Sequence, residues 1–203
     1  MENVNLHWFA LLNAGPSLSG WPLYLATAAA EYLIYVVPVG LVGIWLWGFS
    51  RSRSSMLTAI LAGLLALGIN QLIIFVWFHP RPFMMHVGND YLIHAPDSSF
   101  PSDHVTLLWA VGLVLLTRSG TRFAGAAVLV FAVLVFAVLA AWARVFLGVH
   151  FPLDMAGAVL VGTVSALACK PLQWLLDQYV LPHLEYLYRL VFAPAIRRGW
   201  VHG

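Results

Sequence analysis

The fold is decided by an uncharged apolar stretch between Met56 and Phe78, which reads MLTAILAGLLALGINQLIIFVWF. About 20 consecutive, mostly apolar residues in a helix cross the hydrocarbon core of a bilayer. Because lipid offers no hydrogen-bond partner to the backbone, a chain that crosses it singly must be helical. The stretch therefore predicts a transmembrane helix.

The composition extends this prediction to the whole chain. Of its 203 residues, 62% are hydrophobic and 9% are charged, whereas a soluble domain has about 25% charged residues. So few charges cannot cover a water-soluble globule. The basic residues number 10 against 8 acidic ones and form no run that could bind nucleic acid. The lone Cys169 excludes an internal disulfide.

Four more apolar segments lie on either side of this stretch, at about residues 21–47, 104–117, 123–143 and 152–174. A short segment, Val4–Ala14, ends at a Gly-Pro breaker and predicts an interfacial helix. The tail from Leu181 to Trp200 alternates apolar stretches with arginines, which is typical of a helix on an anionic surface.

Together these segments predict an all-α fold, a polytopic membrane bundle of about five transmembrane helices. We expect a single membrane-embedded domain over residues 1–203. Within it, residues 1–20 form an interfacial N-terminal segment, and residues 179–203 form an amphipathic cytoplasmic tail.

The connections between the segments differ in charge. Two short connections contain arginines and no acid: Arg51 and Arg53 in the first, Arg118 and Arg122 in the second. The long connection from His79 to Asp103 has one arginine against three aspartates. Cytoplasmic loops carry an excess of Lys and Arg. We therefore expect the arginine connections and the tail inside, and the long connection and the Arg144–Pro152 turn outside.

Polar residues gather at this outward side. The second segment ends in HPRPF (79–83), the third begins with PSDH (101–104), and the fourth and fifth are joined by ARVFLGVHFPLD (143–154). Polar groups at membrane depth are costly and usually functional. The candidate site residues are Arg81, Ser102, His104, Arg144, His150 and Asp154.

These residue types suit phosphoryl transfer. Two guanidinium forks match a tetrahedral oxyanion, and the free amides after Pro101-Ser102 would form an anion site. Asp154 lies four residues after His150, so on a helical turn its carboxylate can fix the imidazole tautomer. The other ring nitrogen could then attack phosphorus while His104 protonates the leaving group. This implies a phosphohistidine intermediate, with charge stabilised by arginines and amides rather than by a metal.

Each residue also has a purely structural explanation. Arg81 and Arg144 could anchor the chain at the interface, and Asp154 could simply favour a helix N-terminus. Ser102 could be an ordinary helix cap, and His104 a satisfied interfacial histidine. The convergence of all six at one end favours a functional site.

The same segments resemble the three signature motifs of the type 2 phosphatidic acid phosphatase superfamily. Those motifs are Lys-x6-Arg-Pro, Pro-Ser-Gly-His and Ser-Arg-x5-His-x3-Asp. Arg81-Pro82 matches the end of the first, PSDH matches the second with Asp103 in place of Gly, and Arg144, His150 and Asp154 match the third, with Ala143 in place of Ser. The resemblance implies the following roles: His150 as nucleophile, His104 as general acid, Asp154 as the residue that orients His150, and Arg81, Ser102 and Arg144 as phosphate ligands.

One phosphate ligand of the family is missing. The motif lysine would fall at Ile74, and the nearest polar candidates are Gln71 and His79, neither of which carries a permanent positive charge. We take Asp103, His79 and Gln71 as further candidates for phosphate binding.

Within the superfamily, the PSDH, HPRPF, LGVHFPLDM and APAIRRGW stretches resemble the bacterial undecaprenyl-diphosphatases linked to bacitracin resistance. This resemblance implies hydrolysis of undecaprenyl diphosphate at the periplasmic face of the inner membrane. It also implies recycling of the lipid carrier for cell-wall synthesis, a polyprenyl diphosphate lipid as the substrate, and no cofactor.

Three alternatives remain open at this point. The substrate could be another lipid phosphate, such as phosphatidylglycerophosphate, phosphatidate or lipid A. An anion transporter would need polar residues near the bilayer midplane, where Glu31 is the one deep acid and is expected to hydrogen-bond a neighbouring helix. A metal site is disfavoured, because no two of the eight histidines have the three- or four-residue spacing of a helical metal face.

Overall fold

The computed structural model describes residues 2–118 and 124–203, and every regular element in these ranges is a helix. The predicted all-α fold is therefore confirmed. Arg122 lies outside the described residues, and so does the side chain of Arg118, so neither bears on the orientation of the chain.

In chain order, the α-helices of the described residues are α1 (Glu2–Leu12), α2 (Gly20–Glu31), α3 (Val36–Trp47), α4 (Ser50–Val76), α5 (Asp103–Arg118), α6 (Ala124–Phe146), α7 (Pro152–Cys169), α8 (Gln173–Leu175), α9 (Leu181–Val191) and α10 (Ala193–Arg197). Short 3₁₀ turns occupy Leu33–Tyr35 and Pro82–Met85, and a π-helical stretch, Leu176–Val180, joins α8 to α9.

The predicted apolar segments all correspond to helices. Among the described residues, three stretches are long and apolar enough to cross a membrane: Gly20–Trp47, α4 and α7. Two shorter apolar helices, Asp103–Thr117 and Val133–Phe146, complete the set. These helices form the polytopic membrane bundle that the sequence predicts.

Helix α5 lies at the centre of this bundle, in contact with α4, α6 and α7. Leu108 and Val111 of α5 pack with small residues of the neighbouring helices, among them Ala62 and Ala140. Small residues allow membrane helices to approach closely. At Gly162 of α7, an added Cβ would lie 3.0 Å from the carbonyl oxygen of Thr106, so this position has little room for a side chain.

Two predicted boundaries are wrong. The first segment is not one continuous helix, because α2 ends at Glu31 and a 3₁₀ turn separates it from α3. The second begins at Ser50, so Arg51 and Arg53 lie in the first turn of α4 rather than in a connection. The helix can extend over Arg53 because protein groups, and not water, surround its guanidinium, which is fully buried.

The C-terminal tail is helical, as predicted, and packs against the α3–α4 turn. The Nε1 of Trp47 donates to the carbonyl oxygen of Trp200 at 2.9 Å, and the amide of His202 donates to the carbonyl oxygen of Leu46 at 2.9 Å. Nearby, a cavity of about 340 Å³ brings together the start of α4, the end of α5 and the end of α7. Its lining residues are Arg51, Ser55, Thr117, Lys170 and Gln173. The opposite ends of these helices form the candidate site.

Candidate active site

All six residues predicted for the site lie at one end of the bundle, where α4 and α6 end and α5 and α7 begin. Arg81 follows α4, Ser102 precedes α5, Arg144 is in the last turn of α6, and Asp154 is in the first turn of α7. The connection between α4 and α5 covers this end. Five of the six are buried, while His104 is half-buried.

The predicted His150–Asp154 contact forms, although His150 precedes the helix and does not lie on a helical turn with Asp154. Pro152 starts α7 with Phe151 as the N-cap residue, a position where Pro costs no hydrogen bond. The Oδ2 of Asp154 accepts a hydrogen bond from the Phe151 amide at 2.8 Å and lies 3.3 Å from Nδ1 of His150. The carboxylate therefore fixes both the start of the helix and the orientation of the imidazole.

The contacts also determine which ring nitrogen of His150 carries the proton. Arg81 places Nη1 3.1 Å from Nε2 of His150, and a guanidinium can only donate. Nε2 must therefore offer its lone pair, and the proton resides on Nδ1, facing Asp154. Burial lowers the pKa of His150 to about 4; Arg144 and Arg81 act in the same direction, and Asp154 opposes them. The imidazole is neutral at physiological pH, as a nucleophile requires.

Arg81 is held by three further contacts. Its Nε donates to Oδ1 of Asp97 at 2.7 Å, its Nη1 to the carbonyl oxygen of Val149 at 3.1 Å, and its Nη2 to that of Ser98 at 3.4 Å. Asp97 provides the negative charge beside this guanidinium. Because the Asp97 side chain is 58% exposed, an anion can compete with it at low cost.

Arg144 joins α6 to α2 and to the covering connection. Its Nη1 donates to the carbonyl oxygen of Ala30 at 3.0 Å and to Oε1 of Glu31 at 3.2 Å. Its Nη2 lies 3.2 Å from Nε2 of His94. The expectation that Glu31 hydrogen-bonds a neighbouring helix is thus confirmed. The Nε of Arg144 is buried and has no hydrogen-bond partner.

Ser102 and His104 complete the site from the start of α5. The hydroxyl of Ser102 is buried without a partner, so it does not act as a helix cap; only its carbonyl oxygen joins the helix, by accepting from the Thr106 amide at 2.9 Å. His104 lies in the first turn of α5, two residues after Ser102.

The further candidates have different surroundings. Asp103 accepts a hydrogen bond from Asn70 of α4 at 2.6 Å, which ties α5 to α4. His79 lies 3.9 Å from the Asp154 carboxylate on one side and 3.9 Å from Glu2 on the other. Gln71 is exposed on α4.

Two residues of the site, Ser99 and His94, were not predicted from the sequence. The Ser99 hydroxyl is buried, donates to Oδ2 of Asp154, and lies 3.3 Å from Nδ1 of His150. Both residues belong to the connection between α4 and α5, which has no regular spacing from which a contact could be inferred. Their polarity beside the PSDH motif is the one signal available.

A metal centre has no visible basis in the described part of the chain. Over residues 2–118 and 124–203, no three His, Cys, Asp or Glu side chains are grouped so that they could hold a metal ion. The polar side chains that contact His150 are the Arg81 guanidinium, the Ser99 hydroxyl and the Asp154 carboxylate. Of these, the guanidinium is the group that binds anions.

The apolar helices, with a buried His–Asp pair and two buried arginines at one end, fit an integral membrane phosphatase. The family model described as the PAP2 superfamily matches residues 54–177, a range that includes all six candidate residues. The chain belongs to the PAP2 superfamily, as its motifs predict.

Relatives narrow this assignment to the predicted branch. YbjG of Escherichia coli (strain K12), which carries the provisional name of an undecaprenyl-diphosphatase, is 37% identical over 99% of this chain and 98% of its own. The undecaprenyl-diphosphatase BcrC of Bacillus subtilis (strain 168) is 37% identical over 66% of each chain. The expected membership of the undecaprenyl-diphosphatase branch is confirmed.

Two crystal structures share the fold. LpxE of Aquifex aeolicus superposes with a TM-score of 0.65 over 82% of this chain and 94% of its own, at 24% identity. A PAP2-type phosphatidylglycerolphosphate phosphatase of Bacillus subtilis gives a TM-score of 0.58 over 88% of each chain, at 18% identity. The second is a transmembrane phosphatase by name, and the likeness of both to this chain is one of fold.

Proposed function

We propose that this protein hydrolyses undecaprenyl diphosphate to undecaprenyl phosphate and inorganic phosphate. The observation that carries the proposal is the buried His150, whose Nε2 is unprotonated and accepts from Arg81 while Nδ1 faces Asp154. This is the arrangement of an oriented nucleophile beside an anion-binding group. The names of the relatives YbjG and BcrC support the choice of lipid.

The terminal phosphate binds among Arg81, Arg144 and Ser102. Arg144 Nε and Ser102 Oγ are buried polar atoms without partners, and such atoms are rare in proteins unless a ligand or water completes them. Arg81 must shift its Nη1 hydrogen bond from His150 to a phosphate oxygen, which exposes the Nε2 lone pair as the substrate arrives.

In the first half-reaction, Nε2 of His150 attacks the terminal phosphorus and the bond from phosphorus to the bridging oxygen breaks. His104 donates a proton to that oxygen, so undecaprenyl phosphate leaves as a stable product. Asp154 holds the Nδ1 proton and stabilises the positive charge on the ring. Arg81, Arg144 and Ser102 stabilise the charge on the phosphoryl oxygens.

In the second half-reaction, His104 takes a proton from water, and the resulting nucleophile attacks the phosphohistidine. The phosphorus–nitrogen bond breaks, inorganic phosphate leaves, and the lone pair returns to Nε2 of His150. His104 is again protonated, so the cycle closes without a metal or an organic cofactor.

The site faces the periplasm in this proposal, and the C-terminus is cytoplasmic. Arg51 and Lys170 line a cavity at the end of the bundle opposite His150, and basic residues favour the cytoplasmic side. The connection with three aspartates covers the site end. On that face the enzyme would recycle the lipid carrier of cell-wall synthesis and confer resistance to bacitracin.

The test is phosphate release by the purified protein in detergent from undecaprenyl diphosphate, phosphatidylglycerophosphate, phosphatidate and a lipid A phosphate. We expect the undecaprenyl lipid to give the highest kcat/KM, and His150→Ala to abolish release without loss of folding. His183→Ala on α9, an exposed histidine, is the matched control and should keep full activity. Activity should also survive EDTA.

Retained turnover in His150→Ala would remove His150 as the nucleophile. A preference for one of the other lipids would replace the proposed substrate but keep the site. Inhibition by EDTA that a single metal reverses would contradict the mechanism.

A further inference from the structure

His94 occupies a defined position at the mouth of the site. It lies in the connection between α4 and α5, and its side chain is 23% exposed. Its Nε2 is 3.2 Å from Nη2 of Arg144, its Nδ1 is 3.2 Å from the carbonyl oxygen of Ala95, and Nδ1 is 3.8 Å from Oδ1 of Asp97. His94 thus contacts Arg144, which is one proposed phosphate ligand. It also lies near Asp97, the carboxylate that pairs with Arg81, the second proposed phosphate ligand.

The contacts determine the protonation state of His94 in the free protein. Arg144 can only donate, so Nε2 accepts, and Nδ1 carries the proton toward the Ala95 carbonyl. Burial lowers the pKa of His94, and the positive charges of Arg81 and Arg144 lower it further; the Ala95 carbonyl and Asp97 act in the opposite direction. The imidazole is therefore neutral before substrate binds.

The site has less positive charge than its two arginines suggest. Asp97 pairs with Arg81, and Glu31 pairs with Arg144, while Ile74 offers no polar atom. A diphosphate brings more than one negative charge into this place. An anion bound beside His94 opposes the effect of the two arginines, because a negative charge favours the charged form of a neighbouring imidazole.

We propose that His94 is a phosphate-binding residue that takes up a proton as the substrate phosphate enters between Arg81 and Arg144. Protonated, it becomes a third cationic donor to the phosphate oxygens. Asp97, released from Arg81 by the phosphate, remains within reach of Nδ1 and stabilises the imidazolium. The inference rests on the proposed function, since it concerns the phosphate that His150 attacks.

Proton uptake and phosphate binding are then linked. By reciprocity, if the phosphate favours protonated His94, protonation of His94 favours the phosphate to the same extent. The charged and titratable groups that face His94 are Arg81, Arg144, Asp97 and His104, with Glu31 acting through Arg144. Binding should tighten as the pH falls through neutrality, where imidazole titrates.

The experiment compares KM and kcat of the wild type, His94→Ala, His94→Gln and His94→Lys from about pH 5 to about pH 8. A hydrogen bond to a charged group contributes about 1.5–3 kcal/mol, so we expect KM of His94→Ala to rise about 10- to 100-fold at the acid end. Its KM should no longer vary with pH, and kcat should change little. His94→Gln retains a neutral donor and should also lose the pH dependence.

His94→Lys supplies a permanent charge at the same place, so its KM should be low and should vary little with pH. The matched control is His86→Asn. His86 is an exposed histidine of the same connection with a φ of 55°, a backbone conformation that Asn tolerates. The control should show the KM and the pH profile of the wild type.

Equal KM values for wild type and His94→Ala at every pH would overturn the proposal. A loss confined to kcat would also overturn it, because His94 would then only orient Arg144. A readout that needs no turnover separates this inference from the proposed function. Inorganic pyrophosphate should raise the Tm of His150→Ala more at low pH than at high pH, and His94→Ala in that background should remove the difference.

If the wild type released phosphate from none of the lipids while pyrophosphate still bound in this His94-dependent way, the proposed function would fail and the inference would stand as an anion site. If lipid hydrolysis proceeded normally while neither KM nor pyrophosphate binding depended on His94, the inference would fail alone.

Discussion

Two buried arginines at opposite ends of the bundle differ in how completely their donors are used. Arg53 is fully buried, and all three of its guanidinium nitrogens have partners: the carbonyl oxygens of Trp45 and His202 and, at 3.4 Å, the carboxylate of Glu185. The Trp45 and Tyr188 rings also lie against it, with centroids at 5.4 and 4.5 Å. Arg144 is equally buried, yet its Nε has no partner.

The difference separates a structural role from a binding role. A buried charge is tolerated when its donors are satisfied, and Arg53 meets this condition through contacts that fasten the C-terminal tail to α3 and α4. Arg144 does not meet it, and the hydroxyl of Ser102 at the same end of the bundle is also unpaired. The two unpaired donors, Arg144 Nε and the Ser102 hydroxyl, indicate where an anionic ligand belongs.

The largest effect is expected from a substitution at Arg144. In Arg144→Lys the charge remains but the planar fork is lost, so we expect kcat/KM for the lipid diphosphate to fall by about 10³-fold, the upper range for a lost oxyanion donor. The Tm should change little, because Glu31 is 38% exposed and stays hydrated. Phosphate release and thermal unfolding in detergent measure the two effects. A kcat/KM close to that of the wild type would make Arg144 a structural residue like Arg53.

Arg53→Met should give the converse result. The substitution removes the closer charge partner of Glu185, whose side chain is 14% exposed, and leaves it with Arg189 at 3.9 Å. Removing one partner of a buried ion pair costs about 3 kcal/mol or more. We expect a lower Tm and a tail that proteases cleave more readily, while kcat/KM of the folded protein stays unchanged. If Arg53→Met kept a normal Tm but lost kcat, Arg53 would also affect catalysis. That result would contradict its assignment as a purely structural residue.

A smaller effect is expected from Ser99, which lies beside Asp154 and His150. Ser99→Ala removes the hydroxyl that donates to Asp154, so the carboxylate and the imidazole lose part of their orientation. Loss of a hydrogen bond that orients a catalytic residue lowers activity about 10-fold or somewhat more. We therefore expect kcat of Ser99→Ala to fall by this factor while KM is preserved. Ser165→Ala is the control, since its buried hydroxyl bonds the Val161 carbonyl within α7. Unchanged kcat in Ser99→Ala would show that Asp154 orients His150 without it.

The sequence predicted most accurately those features that depend on local order. The apolar segments became helices because a membrane requires backbone hydrogen bonds to close within each segment. The His150–Asp154 pair formed at the start of α7, where Asp154 accepts from the Phe151 amide and the same carboxylate reaches the imidazole just before the helix. The boundary at Ser50 was wrong because two arginines there suggested an exposed connection. Two of the partners that bury Arg53, Glu185 and His202, lie more than 100 residues away along the chain.

The amino-acid sequence alone thus determined the order of the apolar segments, the three motif fragments and the membrane phosphatase class. Each of these rests on composition or on short, regular spacing. Only the tertiary structure decided three contacts: Ser99 with Asp154, His94 with Arg144, and Arg53 with the tail. They join residues 50 or more positions apart, and in an irregular connection no local rule states which side chains will meet.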